Sequence, residues 1–297
     1  MMRPSRSLLA SLLALAWAAA PGAPLRAQQP ALTARQVVER IERTLGGEWP
    51  DDGIDAFKDG DPDTRVTGIA VTMMATMDVL RRAAASGRNL VITHEPTFYG
   101  HQDRLADLER EGDAVTAEKR AFIREHRLVV WRLHDHWHAP LREPDGVTAG
   151  MLRALGWDRY QRTPGENPVV LPETTVAALA SRLRERLGAR ALRVVGDSTM
   201  RVTRVAFLPG FAGFAAQRHM LQRPDVELLV MGEAHEWETI AWAADAATQG
   251  RRKALIVLGH TPSEQGGSEE LARWLRPLVP EVPVELVPAA DPFWMPE

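Results

Sequence analysis

The 297-residue chain has no cysteine, which excludes disulfides, thiolate zinc sites, iron–sulfur clusters and a cysteine nucleophile together. Any metal it holds must be held by nitrogen and oxygen. A dominant charge is lacking too: 36 Lys and Arg against 39 Asp and Glu leave a formal charge of -3. The arginines are spread along the chain without a basic block, so no nucleic-acid partner is expected. Also missing are a GxSxG elbow, a GxxxxGK[ST] phosphate loop and an HExxH helix, which removes three common hydrolase and nucleotide-binding readings. The run "DGDPDTRV" from Asp59 imitates a calcium loop. Its sixth position is Thr64 where glycine is needed and its twelfth is Ala70 where glutamate is needed, so it is read as a surface turn.

A long apolar run is lacking as well. The stretch Leu8 to Ala20 falls short of the roughly 18–20 residues that span a bilayer. With Arg3 and Arg6 before it and small residues and prolines after it, it has the three-part layout of a secretory signal peptide, residues 1–27, cleaved after Ala27. An uncleaved anchor or a mis-assigned start is the other reading; a lipoprotein anchor is excluded without cysteine. The expected location is periplasmic or secreted, with no membrane association after cleavage.

What is present is a repeating strand and helix pattern. Val37, Val38, Ile41 and Leu45 share one face of a helix over Thr33 to Leu45. Strand-like segments follow at Val66 to Val71, Leu90 to Thr93 and Leu128 to Leu133, alternating with helix-like segments at Met77 to Ala85 and Ala114 to His126. The second half keeps that order. "DTRVTGIAV" at Asp63 returns as "TMRVTRVAF" at Thr199, and "NLVITHE" at Asn89 as "ELLVMGE" at Glu227; a helix over Trp237 to Ala247 and a strand over Ala254 to Leu258 complete the copy. The order holds over about 75 residues, which indicates an internal duplication. The expected fold is α/β, with two related domains, each built on a mixed, mostly parallel sheet. Residues 31–156 form the first domain and 199–297 the second. Residues 157–198, with the helix Thr175 to Leu187, form a connector that packs with the second half.

In parallel sheets ligands bind beyond the carboxyl ends of the strands. Here His94 and Glu95 follow one strand, "HDHWH" from His134 to His138 a second, Glu233 a third, and His260 with Glu264 a fourth. Histidines and carboxylates without cysteine suit zinc, iron, manganese, cobalt or nickel. Five ligands exceed the needs of one tetrahedral ion, whereas two ions about 3.5–4 Å apart would use them and would activate a bridging hydroxide for hydrolysis. The bland readings are that residues 134–138 are a capped turn, that His101, His126, His219 and His235 are surface or structural, and that Trp131, Trp137, Trp237 and Trp242 pack in the interior.

The run from Asp59 through "ITHEPTF", "LHDHWHAPLREPDGVTAGMLRALG", "VVGDSTMRVTRVAFLPGFAG", "MGEAHEWETIAWA" and "LGHTPSE" resembles the NIF-three-like dinuclear metal-centre proteins, also known as GTP cyclohydrolase type 2 homologues. The resemblance covers most of the chain after the leader, in the family's order. It implies a metal site between the two domains, with two divalent metal ions held by His94, Glu95, His138, His260 and Glu264 and with His134 or Glu233 orienting water or shuttling protons, and a ring-shaped homohexamer. Glu95 stands where the family has a second histidine and His138 where it has an aspartate, so the two have exchanged ligand types and the set keeps three histidines and two carboxylates. Asp135 is the alternative middle ligand. Members of that family are mostly cytosolic, so the leader marks a departure, and the expected function is an exported metal-dependent hydrolase acting through a metal-bridged hydroxide on a small-molecule or phosphate-containing substrate. The alternative is a non-enzymatic metal-binding ring, a scaffold or a metal buffer.

Overall fold

In the computed structural model, which describes residues 32–50, 53–138 and 145–296, two five-stranded sheets repeat one plan. The leader inferred over residues 1–27 lies outside the described residues. At the centre of the first sheet are β2 (Ile69–Thr72), β3 (Leu90–Thr93) and β4 (Val129–Arg132), parallel and buried at every position. Their unbroken apolar runs reflect cover on both faces, which a parallel sheet requires. The edge strand β1 (Phe57–Asp59) pairs antiparallel with β4.

The second sheet follows the same order. Its β5 (Val169–Thr175) and β6 (Arg193–Val195) are antiparallel edges around parallel β7 (Arg201–Leu208), β8 (Leu228–Met231) and β9 (Ala254–Val257). In both halves the strand preceding the parallel trio in sequence pairs with its third member. The registers align Ile69 with Val205, Leu90 with Leu228 and Val129 with Ala254 as structural counterparts. Two residues past β3 and β8, Glu95 and Glu233 are therefore equivalents, as the duplicated segments predict.

Nine helices are described: α1 (Ala34–Leu45), α2 (Met77–Ala85), α3 (Leu105–Glu111), α4 (Ala114–Glu125), α5 (Gly146–Leu155), α6 (Val176–Leu187), α7 (Gly213–Gln222), α8 (Ala241–Thr248) and α9 (His260–Leu278). The connector residues supply β5, α6 and β6 to the second sheet and its core. The chain's last strand, β10 (Val284–Leu286), pairs with β2, so the segment after 199 contributes to both sheets. Among the described residues no helix is long and apolar enough to cross a membrane.

One expected helix differs. In place of a continuous helix from Trp237, a π-turn over Glu236–Ile240 precedes α8. The Thr239 hydroxyl, buried there, donates to Gln217 Oε1, and Gln217 Nε2 donates to the Glu233 carbonyl, which anchors the wider turn to the end of β8. Periodicity reads side-chain spacing and is blind to one added backbone residue per turn.

Two helices act as arms of the site. The Asp145 carboxylate caps α5, accepting from the Thr148 amide at 2.7 Å, and α9 begins at His260. The arms meet through glycine: a Cβ on Gly150 would collide with the Gly266 carbonyl, and one on Gly267 would crowd Val147. Such backbone contact is open only to residues without a side chain.

Candidate metal centre

His94 and Glu95 follow β3 directly, at 3% and 7% exposure. Glu264, at 4% exposure, lies one helical turn after His260 on α9, so both side chains share a face. His134 and His138 stand on a turn after β4. That turn is indeed capped, by a residue the sequence did not single out: the buried Asp55 carboxylate accepts from the amides of His134 (2.5 Å), Asp135 (3.1 Å) and His136 (2.8 Å) and from His136 Nδ1 (2.6 Å). The His136 ring stacks on Trp49 with centroids 3.5 Å apart. The cap and the site are thus one structure, since fixing the turn is what aims His134 and His138.

Four imidazoles are arranged alike. Each Nδ1 faces an oxygen acceptor: Leu133 carbonyl for His94 at 3.1 Å, Asp135 for His134 at 2.7 Å, Asp145 for His138 at 2.7 Å, and Glu233 for His260 at 3.2 Å. Each Nε2 points inward. His94 Nε2 lies 3.2 Å from His138 Nε2 and 3.6 Å from Glu264 Oε2; His260 Nε2 lies 3.2 Å from Glu95 Oε1 and 3.3 Å from Glu264 Oε2; His134 Nε2 lies 3.6 Å from Glu95 Oε1. Outer acceptors on Nδ1 with Nε2 lone pairs converging is how proteins present histidine to a metal. Two groups bring their ligand atoms within 4.8 Å of one another, His94 with His134 and His138, and His94 with Glu95 and Glu264. His94 belongs to both.

The electrostatics fit a cation. Burial, with His134 and His138 alongside, pushes His94 well below the usual imidazole value and keeps it in the neutral, ligating form. Burial opposes a charge on His260, but the carboxylates of Glu233, Glu264 and Glu95 set against its ring nitrogens push it up to about 12. Burial likewise acts against ionised Glu95, yet the bond from His260 and the positive charge on that ring bring it down to about 2. The carboxylates thus demand positive charge at the cluster centre. Glu264 Oε2 is buried and makes no well-formed hydrogen bond, although His260 Nε2 stands 3.3 Å away, an arrangement that is costly unless a cation meets the oxygen. Gly210, held at φ +55°, makes room for that carboxylate, because a Cβ there would strike Glu264. The donor set fits divalent ions of the nitrogen- and oxygen-preferring kind.

The family model for Duf34/NIF3 (NGG1p interacting factor 3) matches residues 35–292. The chain belongs to the Duf34/NIF3 family. A GTP cyclohydrolase 1 type 2 homolog of Clostridium perfringens is 20% identical over 219 residues, 69% of this chain and 76% of that protein. Among solved structures, Staphylococcus aureus protein SA1388 is 17% identical with a TM-score of 0.63, covering 89% of this chain and 99% of its own. A Bacillus cereus protein related to NIF3 is 13% identical with a TM-score of 0.65, covering 90% and 100%. At such identities the structures speak for a shared fold.

Within this Duf34/NIF3 chain, the five expected ligands His94, Glu95, His138, His260 and Glu264 lie together. His134, expected as a proton carrier, joins His94 and His138 in one of the two ligand groups, and Glu233 is bonded to the outer nitrogen of His260. Asp135, the alternative ligand, is 58% exposed at its side chain and faces His134 Nδ1. Fully buried Arg132 was also missed; its guanidinium donates to the carbonyls of His94 (2.9 Å) and His101 (2.6 Å) and to Glu95 Oε2 (3.3 Å), leaving Glu95 Oε1 for the centre. A cavity of about 1070 Å³ opens above the cluster. His101 and His235, expected to be surface or structural, line it. His126 packs on Phe122, and His219 is exposed.

Replacing Asp55 with alanine would strand three amides and the His136 ring. A destabilisation on the order of 3 kcal/mol is expected, read as a lowered thermal midpoint, together with weakened metal uptake. Asp55→Asn, which retains an acceptor, should recover part of both; an unchanged midpoint in Asp55→Ala contradicts the capping role.

Proposed function

We propose that this protein is a metal-dependent hydrolase that uses two divalent ions held by His94, Glu95, His138, His260 and Glu264, with His134 beside them. The observation that carries the reading is the common orientation of four imidazoles, Nδ1 outward on oxygen and Nε2 inward, around the buried Glu264 Oε2, which makes no well-formed hydrogen bond. When bound, such ions supply Lewis acidity and lower the pKa of water. Two divalent charges against Glu95 and Glu264 leave about +2, which suits an anionic, phosphate-containing substrate. The chain's residues do the positioning. Arg132 fixes Glu95, Asp145 fixes His138, and Glu233 fixes His260. Glu233 is half exposed at the cavity wall, where it can accept a proton from attacking water while accepting a hydrogen bond from His260 Nδ1. Water adds to the phosphorus or acyl carbon, the ester bond breaks, and the released oxygen takes up the proton.

Export to the periplasm or exterior, supported by the layout of residues 1–27 alone, and assembly as a closed homohexamer, supported by the family resemblance, belong to the same proposal. The test is turnover by the mature protein on a panel of phosphate and carboxylate esters, measured against metal occupancy. Activity that rises with occupancy and disappears in His260→Ala supports the hydrolase. Tight metal uptake with no turnover would make the protein a metal-binding ring without catalysis.

A further inference from the structure

Trp237 was expected to pack internally, as Trp131 and Trp137 do at 1% exposure each. It is instead 76% exposed. Its ring stacks on His235, centroids 4.7 Å apart at 17°, and His235 in turn meets Phe211 at 5.1 Å. Phe211 and His235 line the cavity above the metal cluster, and Phe211 is 46% exposed. The three rings therefore run from the cavity wall to its rim. They are not loosely hung: His235 Nδ1 lies 3.1 Å from Glu238, and the π-turn that carries Trp237 is tied through Thr239 and Gln217 to the backbone of Glu233. Local π-turns recur at functional sites because they redirect side chains that a regular helix would bury.

A second, independent feature comes from the first half. Tyr99 also lines the cavity, is 59% exposed, and has φ +66°, a conformation unfavourable to a bulky side chain. Surrounding bonds hold it there. The Asp103 carboxylate accepts from the amides of Thr97 (2.9 Å) and Phe98 (2.5 Å), and buried Lys119 donates to the Thr97 carbonyl and lies 5.2 Å from the Tyr99 ring. Strain maintained by so many contacts at a cavity mouth indicates use of the side chain it presents.

We infer that Tyr99, Phe211, His235 and Trp237 form a stacking subsite for a planar aromatic ring, so that the ligand of this cavity is an aryl ester of phosphate with its ring on this platform and its phosphoryl group toward the metal cluster. The phosphoryl part rests on the proposed function; the ring part does not. Exposed aromatic rings at the wall and rim of a cavity whose floor is polar suit a flat group joined to an anion, and a saturated ring of equal size cannot lie against such rings as closely.

Phenylphosphonate and cyclohexylphosphonate, which are not hydrolysed, separate ring recognition from mere apolar burial. In calorimetric titrations of the metal-loaded protein, phenylphosphonate should bind about 5- to 10-fold more tightly. Trp237→Ala and Phe211→Ala should each bring that ratio near one while leaving metal content and methylphosphonate affinity unchanged. Tyr99→Asn, which tolerates the backbone angle, should lower the ratio without lowering the thermal midpoint. A ratio near one in the parent, or a preference that survives in the variants, overturns the subsite. A change in assembly mass for Trp237→Ala by light scattering also overturns it, by making this face a subunit contact. Benzyl alcohol against cyclohexylmethanol repeats the comparison without charge on protein treated with a chelator. If the metal reading alone fails, that neutral preference persists and still responds to Trp237→Ala; if the subsite alone fails, methylphosphonate binds only with metal and no ring preference is seen.

Discussion

His94→Ala is expected to lower metal affinity at both positions of the centre, by about 100-fold or more, because His94 is the one residue shared by the two ligand groups. Loss of an outer partner alone commonly costs 10- to 100-fold, and a shared inner ligand should cost at least as much. The fold should survive. The His94 ring bonds to the Leu133 carbonyl through Nδ1 and faces His138 Nε2 through Nε2, so the metal-free variant should lose about 1–2 kcal/mol of stability. Elemental analysis after dialysis, with His219→Ala as the exposed control, checks this; retention of full metal content by His94→Ala would falsify the shared-ligand geometry. The same site predicts a pH dependence. His260, pushed up to about 12, and His138, which burial lowers but Asp145 raises on balance, must each give up a proton to a cation. Metal affinity should therefore climb with pH throughout the neutral range, with proton release visible in calorimetry across buffers of different ionisation enthalpy.

The second large effect concerns Glu95 and His138, the two positions that differ from the family pattern. Glu95→His leaves a buried guanidinium on Arg132 facing an imidazole, and His138→Asp sets a carboxylate against Asp145. Each single change should lower metal affinity by at least about 10- to 100-fold, and Glu95→His should also destabilise the protein by about 3–5 kcal/mol, as breaking a buried ion pair does. The double variant restores two carboxylates and three histidines and should regain a coupling on the order of 1–3 kcal/mol in metal affinity. The structure adds a condition to that exchange. Because Arg132 and Asp145 match the charges of the present ligands, adding Arg132→Gln and Asp145→Asn to the double should improve it further. A double as poor as the sum of its singles contradicts the exchange. So does a site emptied by Asp135→Ala but not by His138→Ala.

The parallel trio in each half is legible because buried strands are written as largely apolar runs, and the repeat of "NLVITHE" as "ELLVMGE" puts Glu95 and Glu233 in equivalent places. In the structure both carboxylates contact His260, one on each ring nitrogen. What escaped was everything specified by contact across long sequence distance. Asp55 stands 79 residues before the His134 amide it accepts from, and nothing local marks it as a cap. Arg132 reads as an ordinary strand residue, although its charge is fully buried behind Glu95. The edge strands β1, β6 and β10, three residues each, carry too little pattern to be seen. Trp237 was misplaced because composition favours burial of tryptophan, while a single π-turn turns it outward.

The central claim is that the inward Nε2 atoms and the Glu95 and Glu264 carboxylates form a dinuclear metal centre. Crystals of the mature protein, grown after loading with zinc and measured on both sides of the zinc absorption edge, test this most directly. Two anomalous peaks per chain are expected, about 3.5–4 Å apart and both within bonding distance of His94, Glu95, His138, His260 or Glu264. A map with no peak among these residues, in crystals whose zinc content is independently established, would contradict the account.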